Sequence, residues 1–329
     1  MRISVFVLKR VAQLILISLL VTYATFCLSS MIPGDFFSTH LLDSSVRTET
    51  VEQLRHKYGL DQPAHIQYLR WLKNVVRLDF GNSMFYQRPV LPIVADALAK
   101  TLWMGIPALI LGFGLGIMLG AVHGISGQRL TGRILDFVSA ITLSLPSLLL
   151  GLAALLFAAH THWFPLGSMT SLASPESGLW NSAMDRIHHL ILPVLCLTIP
   201  IFAYVERIQY SATRNSQDEL YVRFARSRGL SGLRIFFQYV LRPGLNPVVS
   251  IAGPMLGGIL SGSLVLEIIF AWPGLGQITY DALFNSDLFL LAGCIMGSSL
   301  LLVVGNMLAD CVLIALDPRI RSSAGKGLG

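Results

Sequence analysis

Six stretches of the chain are almost free of charge and approach or exceed the roughly 20 residues that carry a helix across a bilayer core. They lie at 11–32, 102–123, 135–159, 190–208, 247–270 and 288–313. The pattern predicts an all-α integral membrane protein with six transmembrane helices. The first stretch follows Lys9 and Arg10 and so resembles a signal peptide. It is too long for an ordinary signal core, and no small-x-small cleavage site follows, so an uncleaved span is expected.

The polar segments between the spans differ in kind. A long one, 33–100, contains two patterns of helical spacing. Val51, Leu54 and Tyr58 form the first, with Gly59 placed to end it. Pro63 restarts a second, in which Ile66, Leu69, Leu72 and Val76 fall on one stripe. Two short amphipathic helices lying on the membrane surface are expected there. A second polar segment, 209–246, follows span 4, and a tail occupies 317–329. The whole chain, 1–329, is read as one membrane domain.

Charge then orients the spans. Hydrophobic residues make up 53% of the chain and charged residues only 13%, against about 25% in average soluble domains. The net charge of +6 therefore reflects membrane topology rather than nucleic-acid binding. Fifteen of the 24 Lys and Arg residues fall on segments that share one side if the N-terminus is cytoplasmic. Most of the others lie in the long 33–100 loop, and such loops translocate largely regardless of charge. An N-in, C-in topology follows, with 33–100 outside and 209–246 and 317–329 in the cytoplasm.

Cys27, Cys196, Cys294 and Cys311 all sit in apolar runs without metal-site spacing and read as small buried hydrophobes. Glycines repeat every fourth residue at Gly112, Gly116 and Gly120, at the pairs Gly253/Gly257 and Gly258/Gly262, and at Gly293/Gly297. Such ridges let helices pack closely, within the chain or against another subunit. Pro107, Pro146, Pro193, Pro200 and Pro254 fall inside spans. Around Pro146, the hydroxyls of Thr142, Ser144 and Ser147 either line a polar passage or satisfy backbone groups freed by a kink. Glu267 lies near the outer end of span 5, before Trp272, Pro273 and Gly274. It is a candidate for the translocation path or the outer gate, or for a structural pairing that holds the next loop. Asn306 and Asp310 share one face of span 6 and suit an inter-helix polar contact. His160, His162, His188 and His189 flank one outer loop, either as interfacial side chains or as metal or haem ligands; no metal site is assigned. No P-loop, zinc-protease or serine-hydrolase motif is present, so ATP would have to be bound by another chain.

The segment after span 4 carries the most information. Asp218 can cap a short helix whose first turn is acidic and whose last turn holds Arg226 and Arg228, matching the helix dipole. Gly229 suits a left-handed stop. Ser231 can cap a second helix, which should break at Pro243. Tyr221, Phe224 and Ala225 share a face flanked by Arg223 and Arg226. Such a face fits a partner's groove, or the anionic surface of a membrane.

The run YVRFARSRGLS from Tyr221 to Ser231, with LRPGLNPV from Leu241 to Val248, resembles the coupling-loop signature of ABC transporter permeases. The closest likeness is to the binding-protein-dependent dipeptide/oligopeptide/nickel importers. Other motifs agree: Pro33, Gly34 and Asp35; YGLDQP from Tyr58 to Pro63; LDFGNS from Leu78 to Ser83; FAWPGLG from Phe270 to Gly276; and LDPRIR from Leu316 to Arg321. The resemblance implies a permease subunit of the bacterial inner membrane. It implies two ATP-binding subunits, a second homologous permease and an extracytoplasmic binding protein as partners. ATP and Mg would be bound by the partner subunits, with no cofactor on this chain and no catalysis by it. Tyr221, Arg223, Phe224, Ala225, Arg226 and Gly229 would couple the ATPase to the spans. Arg223, Phe224 and Ala225 stand where the family has Glu-Ala-Ala, so Phe224 replaces a small residue. Peptides are the implied cargo, with nickel chelates, haem or another small solute as alternatives. An ion-gradient-driven transporter would need paired intramembrane acids or broken repeats, and an intramembrane enzyme would need a nucleophile with a base. Neither pattern is evident.

Overall fold

Helices dominate because a chain this apolar must satisfy its backbone hydrogen bonds internally. A computed structural model describes residues 2–31, 36–37, 52–53, 55–56, 58–126, 129–171 and 179–316. In chain order the helices are α1 (Arg2–Met31), α2 (Ala64–Val75), α3 (Val90–Ser126), α4 (Leu130–Ser144), α5 (Ser147–Thr161) and α6 (Leu179–Gln217). They continue with α7 (Leu220–Ser227), α8 (Gly232–Ile235), a π-helical segment (Phe236–Leu241), α9 (Arg242–Ile269), α10 (Leu275–Phe284) and α11 (Leu288–Leu316). Among the described residues three helices, Val90–Ser126, Trp180–Gln217 and Leu288–Val312, are each long and apolar enough to cross a membrane. Counting two bent helix pairs as single spans raises this to five, and α1 contributes a shorter apolar stretch, Ile15–Met31. The expected helix near Val51 and Leu54, the Pro33–Asp35 motif and the tail 317–329 lie outside the described residues.

The residues form two compact units: 1–101 with 273–303, and 102–272 with 304–329. In the first, α2 packs on α1 through aromatic side chains. Tyr68 and Trp71 are buried, Tyr68 Oη donates to the Leu19 carbonyl at 2.8 Å, and Phe26 meets both rings. Pro63 precedes α2 as expected. Of the expected apolar stripe, Ile66, Leu69 and Val76 are exposed and Leu72 is half-buried, while the two large rings on the other side hold the helix to α1.

Asp287 anchors the rest of this unit. It is buried; one oxygen accepts from Ser83 Oγ at 2.6 Å and the Phe85 amide at 3.0 Å. The other caps α11 by accepting from the Leu290 amide at 3.2 Å. The segment it holds begins with an Asp79 turn, in which the Gly81 amide donates to Asp79 Oδ1. It ends at Tyr86, which donates to Asp281 at 2.9 Å. Burial, and then that carboxylate, push the Tyr86 phenol above its ordinary pKa, so the donor stays protonated.

In the second unit the glycine ridge of α3 faces α6. A Cβ at Gly112, Gly116, Gly120 or Gly124 would lie 2.5–2.7 Å from Ile201, Val205, the Glu206 carbonyl or Thr213. The ridge therefore serves contacts within the chain. Gly253 meets Asn306 in the same way. The apolar core runs through Met104, Ala108, Leu197, Val205, Ile259 and Leu266. Cys196 is buried and Cys311 is exposed, unlike the buried role expected for it.

The kink read at Pro146 is present, whereas Pro243 departs from expectation. Span 3 is not one helix: α4 and α5 meet at Pro146 with a bend of 99°. The Thr142 carbonyl, which Pro146 cannot serve, accepts from the Leu145 amide at 3.4 Å; Ser144 Oγ bonds back to the Ala140 carbonyl instead. Pro243, in contrast, does not break its helix. The π-helical segment before it widens the turn where a proline ring would strike the preceding carbonyl, and α9 continues past Pro247 and Pro254.

Gly120→Ala should cost about 1–3 kcal/mol, because the methyl meets backbone. Gly114→Ala, with nothing within 4 Å, should be neutral or gain up to about 1 kcal/mol. Thermal unfolding in detergent distinguishes them: Tm falls only for the first. Asp287→Ala leaves buried donors unpaired at a cost of about 1–3 kcal/mol, and limited proteolysis should cut within 78–89 faster than in the parent protein.

Candidate functional site

The segment between α6 and α9 folds on itself. Val222 and Ala225 on α7 are buried against Ile235 and Val240, with Leu230, Phe236 and Tyr239 around them. This small core pins one face of α7. The opposite face carries Leu220 and Phe224, 69% and 68% exposed, with Tyr221 beside them. Arg223, Arg226 and Arg228 are exposed around this patch. Ala225 therefore does not share the exposed face of Tyr221 and Phe224, a correction to the expected grouping, and Leu220 does. Leu220 was missed because a helix start offers no repeat on which to judge its face.

Both helix ends can be checked. The N-cap is Glu219, not Asp218, and no side chain caps it. At the C-terminus Gly229 adopts φ +74°. Its amide donates to the Arg226 carbonyl at 3.0 Å and the Leu230 amide to the Ala225 carbonyl at 3.4 Å. This is the paired closure that a left-handed glycine permits, with Leu230 packed against the cluster of Val222, Ala225, Ile235 and Val240. Ser231 is the N-cap of α8 by position, without a side-chain bond.

The other candidates do not gather at this site. Ser144 and Pro146 are exposed at the α4–α5 elbow and Ser147 is half-buried. Glu267 and Trp272 are both fully buried, and the Trp272 amide donates to the Glu267 carbonyl at 2.8 Å. Between them, the Phe270 carbonyl accepts from the Ser168 amide at 2.8 Å. Pro273 follows, and Gly274 caps α10 in an extended conformation. His162 ends α5 in a left-handed conformation. His188 lies 2.8 Å from the Trp163 carbonyl and His189 2.9 Å from that of Asp185. Among the described residues no group of three His, Cys, Asp or Glu side chains is arranged to hold a metal.

A polar cluster close to α7 in sequence was not foreseen. Glu206 on α6 is fully buried. Its oxygens take His123 Nδ1 of α3 at 2.6 Å and Ser139 Oγ of α4 at 2.6 Å. His123 Nε2 faces Asp136 at 3.5 Å, and Asp136 accepts from Arg207 at 2.9 Å. Tyr210 stacks on the imidazole at 3.9 Å. Ionisable residues inside apolar helices cost roughly 2.5–3.5 kcal/mol at mid-span on insertion scales, and that cost was the signal available in Glu206 and His123.

Comparison with known proteins bears on what this arrangement does. The family described as binding-protein-dependent transport system inner membrane component matches residues 101–322. The N-terminal family of the same membrane components matches residues 3–105. The chain is 34% identical over 322 residues to the oligopeptide transport system permease protein AppB of Bacillus subtilis (strain 168), covering 96% of this chain and 99% of that one. It is 30% identical to the dipeptide transport system permease protein DppB of Lactococcus lactis subsp. cremoris, covering 96% and 99%. It is 29% identical to the glutathione transport system permease protein GsiC of Salmonella paratyphi A, covering 96% and 98%.

Because a Cβ at Gly229 meets nothing within 4 Å, Gly229→Ala is penalised by its backbone conformation alone, about 1–2 kcal/mol. Hydrogen exchange at the Gly229 and Leu230 amides should quicken roughly fivefold or more, with the global Tm little changed.

Proposed function

The chain belongs to the family of binding-protein-dependent transport system inner membrane components, the multi-pass permease subunits of ABC importers, and on that premise we propose that it imports peptides using ATP hydrolysed by separate subunits. The observation that carries this reading is the exposed Leu220, Tyr221 and Phe224 face, ringed by arginines, on a helix whose other face is pinned. An aromatic, arginine-rich patch of this kind is the composition of a protein interface. Here it docks in a cleft of the ATP-binding subunit, with Arg223 and Arg226 at the rim.

Six spans run N-in to C-in, so that α7 is cytoplasmic and α2 lies outside. Two ATP-binding subunits, holding ATP and Mg, drive this chain and a second homologous permease. A binding protein delivers cargo to the outer face. ATP binding closes the ATPase dimer, pushes on α7 and opens the outer face; hydrolysis resets it. Ser144, Pro146, Ser147 and Glu267 belong to the translocation path, and Trp272, Pro273 and Gly274 to the outer gate. Peptides are favoured because the relatives carry oligopeptide, dipeptide and glutathione transport names.

Phe224 is exposed, so replacing it leaves the fold intact. Phe224→Glu in a tagged chain should lower the yield of co-purified ATPase subunit at least tenfold, with membrane levels of the chain unchanged. Undiminished co-purification would refute docking through this face.

A further inference from the structure

The glycine ridge of α3 brings it close to α6, with Ile201, Val205 and Thr213 seated against the glycines, but the ridge offers no polar side chain to fix one helix against the other. Beyond a long contact from Thr198 Oγ1 to the Ala108 carbonyl at 3.5 Å, two shorter polar contacts fix that register: Glu206 with His123 at 2.6 Å, and Gln217 Nε2 donating to the Gly124 carbonyl at 3.0 Å. Ser139 and the Asp136–Arg207 pair fasten α4 to the same stretch of α6. All of this lies on the half of α6 that leads into α7, which begins three residues after Gln217. Glu206 is about 17 Å up the helix from that end, at 1.5 Å per residue.

Stability alone does not call for this cluster. Apolar residues of similar size commonly hold buried helices as well as a buried ionic group does, or better. What a buried polar cluster adds is a preferred geometry: both Glu206 oxygens are paired, one with His123 Nδ1 and one with Ser139 Oγ, although His123 Nε2 has no hydrogen-bond partner among the described residues. We propose that Glu206 is a positioning residue of the coupling machinery: through His123 and Ser139 it makes α3, α4 and α6 move as one body when α7 is displaced. The proposal rests on the reading of α7 as the ATPase-docking helix. Without the cluster, displacement of α7 is lost as sliding along the glycine ridge and reaches α3 and α4 only in part.

The test uses the intact complex, purified through a tag on this chain and reconstituted in liposomes with its binding protein. Uptake of a labelled mixture of short peptides is measured per ATP hydrolysed. Glu206→Ala should assemble and hydrolyse ATP within twofold of the parent while uptake per ATP falls at least tenfold. The double variant His123→Gln with Glu206→Gln keeps an uncharged hydrogen-bonded pair of similar size and should recover to within threefold. If Glu206→Ala does not assemble, Ser139→Ala carries the test, with an expected loss of threefold or more. Uptake per ATP within twofold of the parent in every variant that assembles overturns the proposal. So does a loss of uptake and hydrolysis in equal proportion, which is the mark of a purely structural role. A parent chain that brings down no ATPase subunit refutes the docking reading instead, and this proposal with it.

Discussion

From Gly112 to Gly124 the backbone of α3 lies so near α6 that one methyl at any of four positions would collide with it. Much of the second unit follows from that approach. Lipid tails are as apolar as leucine, so helices in a bilayer gain little from hiding apolar surface and must associate through close packing and hydrogen bonds. The glycines supply the packing. They also bring His123 and Glu206 within 2.6 Å of each other, a distance that bulkier residues on the ridge would have kept open. The polar cluster is therefore a product of the ridge and also its complement, since the ridge sets distance and the cluster sets register.

Where a local signal and its structural result involve the same few residues, the sequence was a sound guide. Gly229 after two arginines announced a left-handed stop, and the stop is there. Pro63 marked the start of α2. The long apolar runs at 102–123, 190–208 and 288–313 all lie inside observed helices. The segment that forms α7 was legible as a helix, but its faces were only partly so. Ala225 turned inward because the partners that cover it, Ile235 and Val240, lie on a helix whose return path the local pattern does not specify.

The failures share a cause: a choice made by distant residues. Aliphatic spacing picked out the stripe of Ile66, Leu69, Leu72 and Val76 on α2, but it could not show that Tyr68 and Trp71 pack on Phe26 of another helix. Asp287 drew no notice, since its donors, Ser83 and Phe85, are about two hundred residues away in sequence. Glu206 has partners 83 and 67 residues off. Proline misled only at Pro243, because whether it breaks a helix depends on the turn before it. Pro146 produced a right-angled elbow inside an unbroken apolar run. Pro243 was absorbed by a π-helical turn.

That elbow has a consequence for solvent. The two helices that meet there have 15 residues each, about 22 Å at 1.5 Å per residue, so neither crosses a hydrocarbon core of about 30 Å alone. If α4 and α5 together form one span, their junction sits at membrane depth. A helix end leaves up to four amides or carbonyls without intrahelical partners, and acyl chains offer them nothing. The exposed side of the elbow at Ser144 and Pro146 must then be wetted or covered by protein. A lipid-facing elbow is the one arrangement the dielectric forbids, and this makes the junction a marker for where water, or a neighbouring subunit, enters the membrane beside this chain.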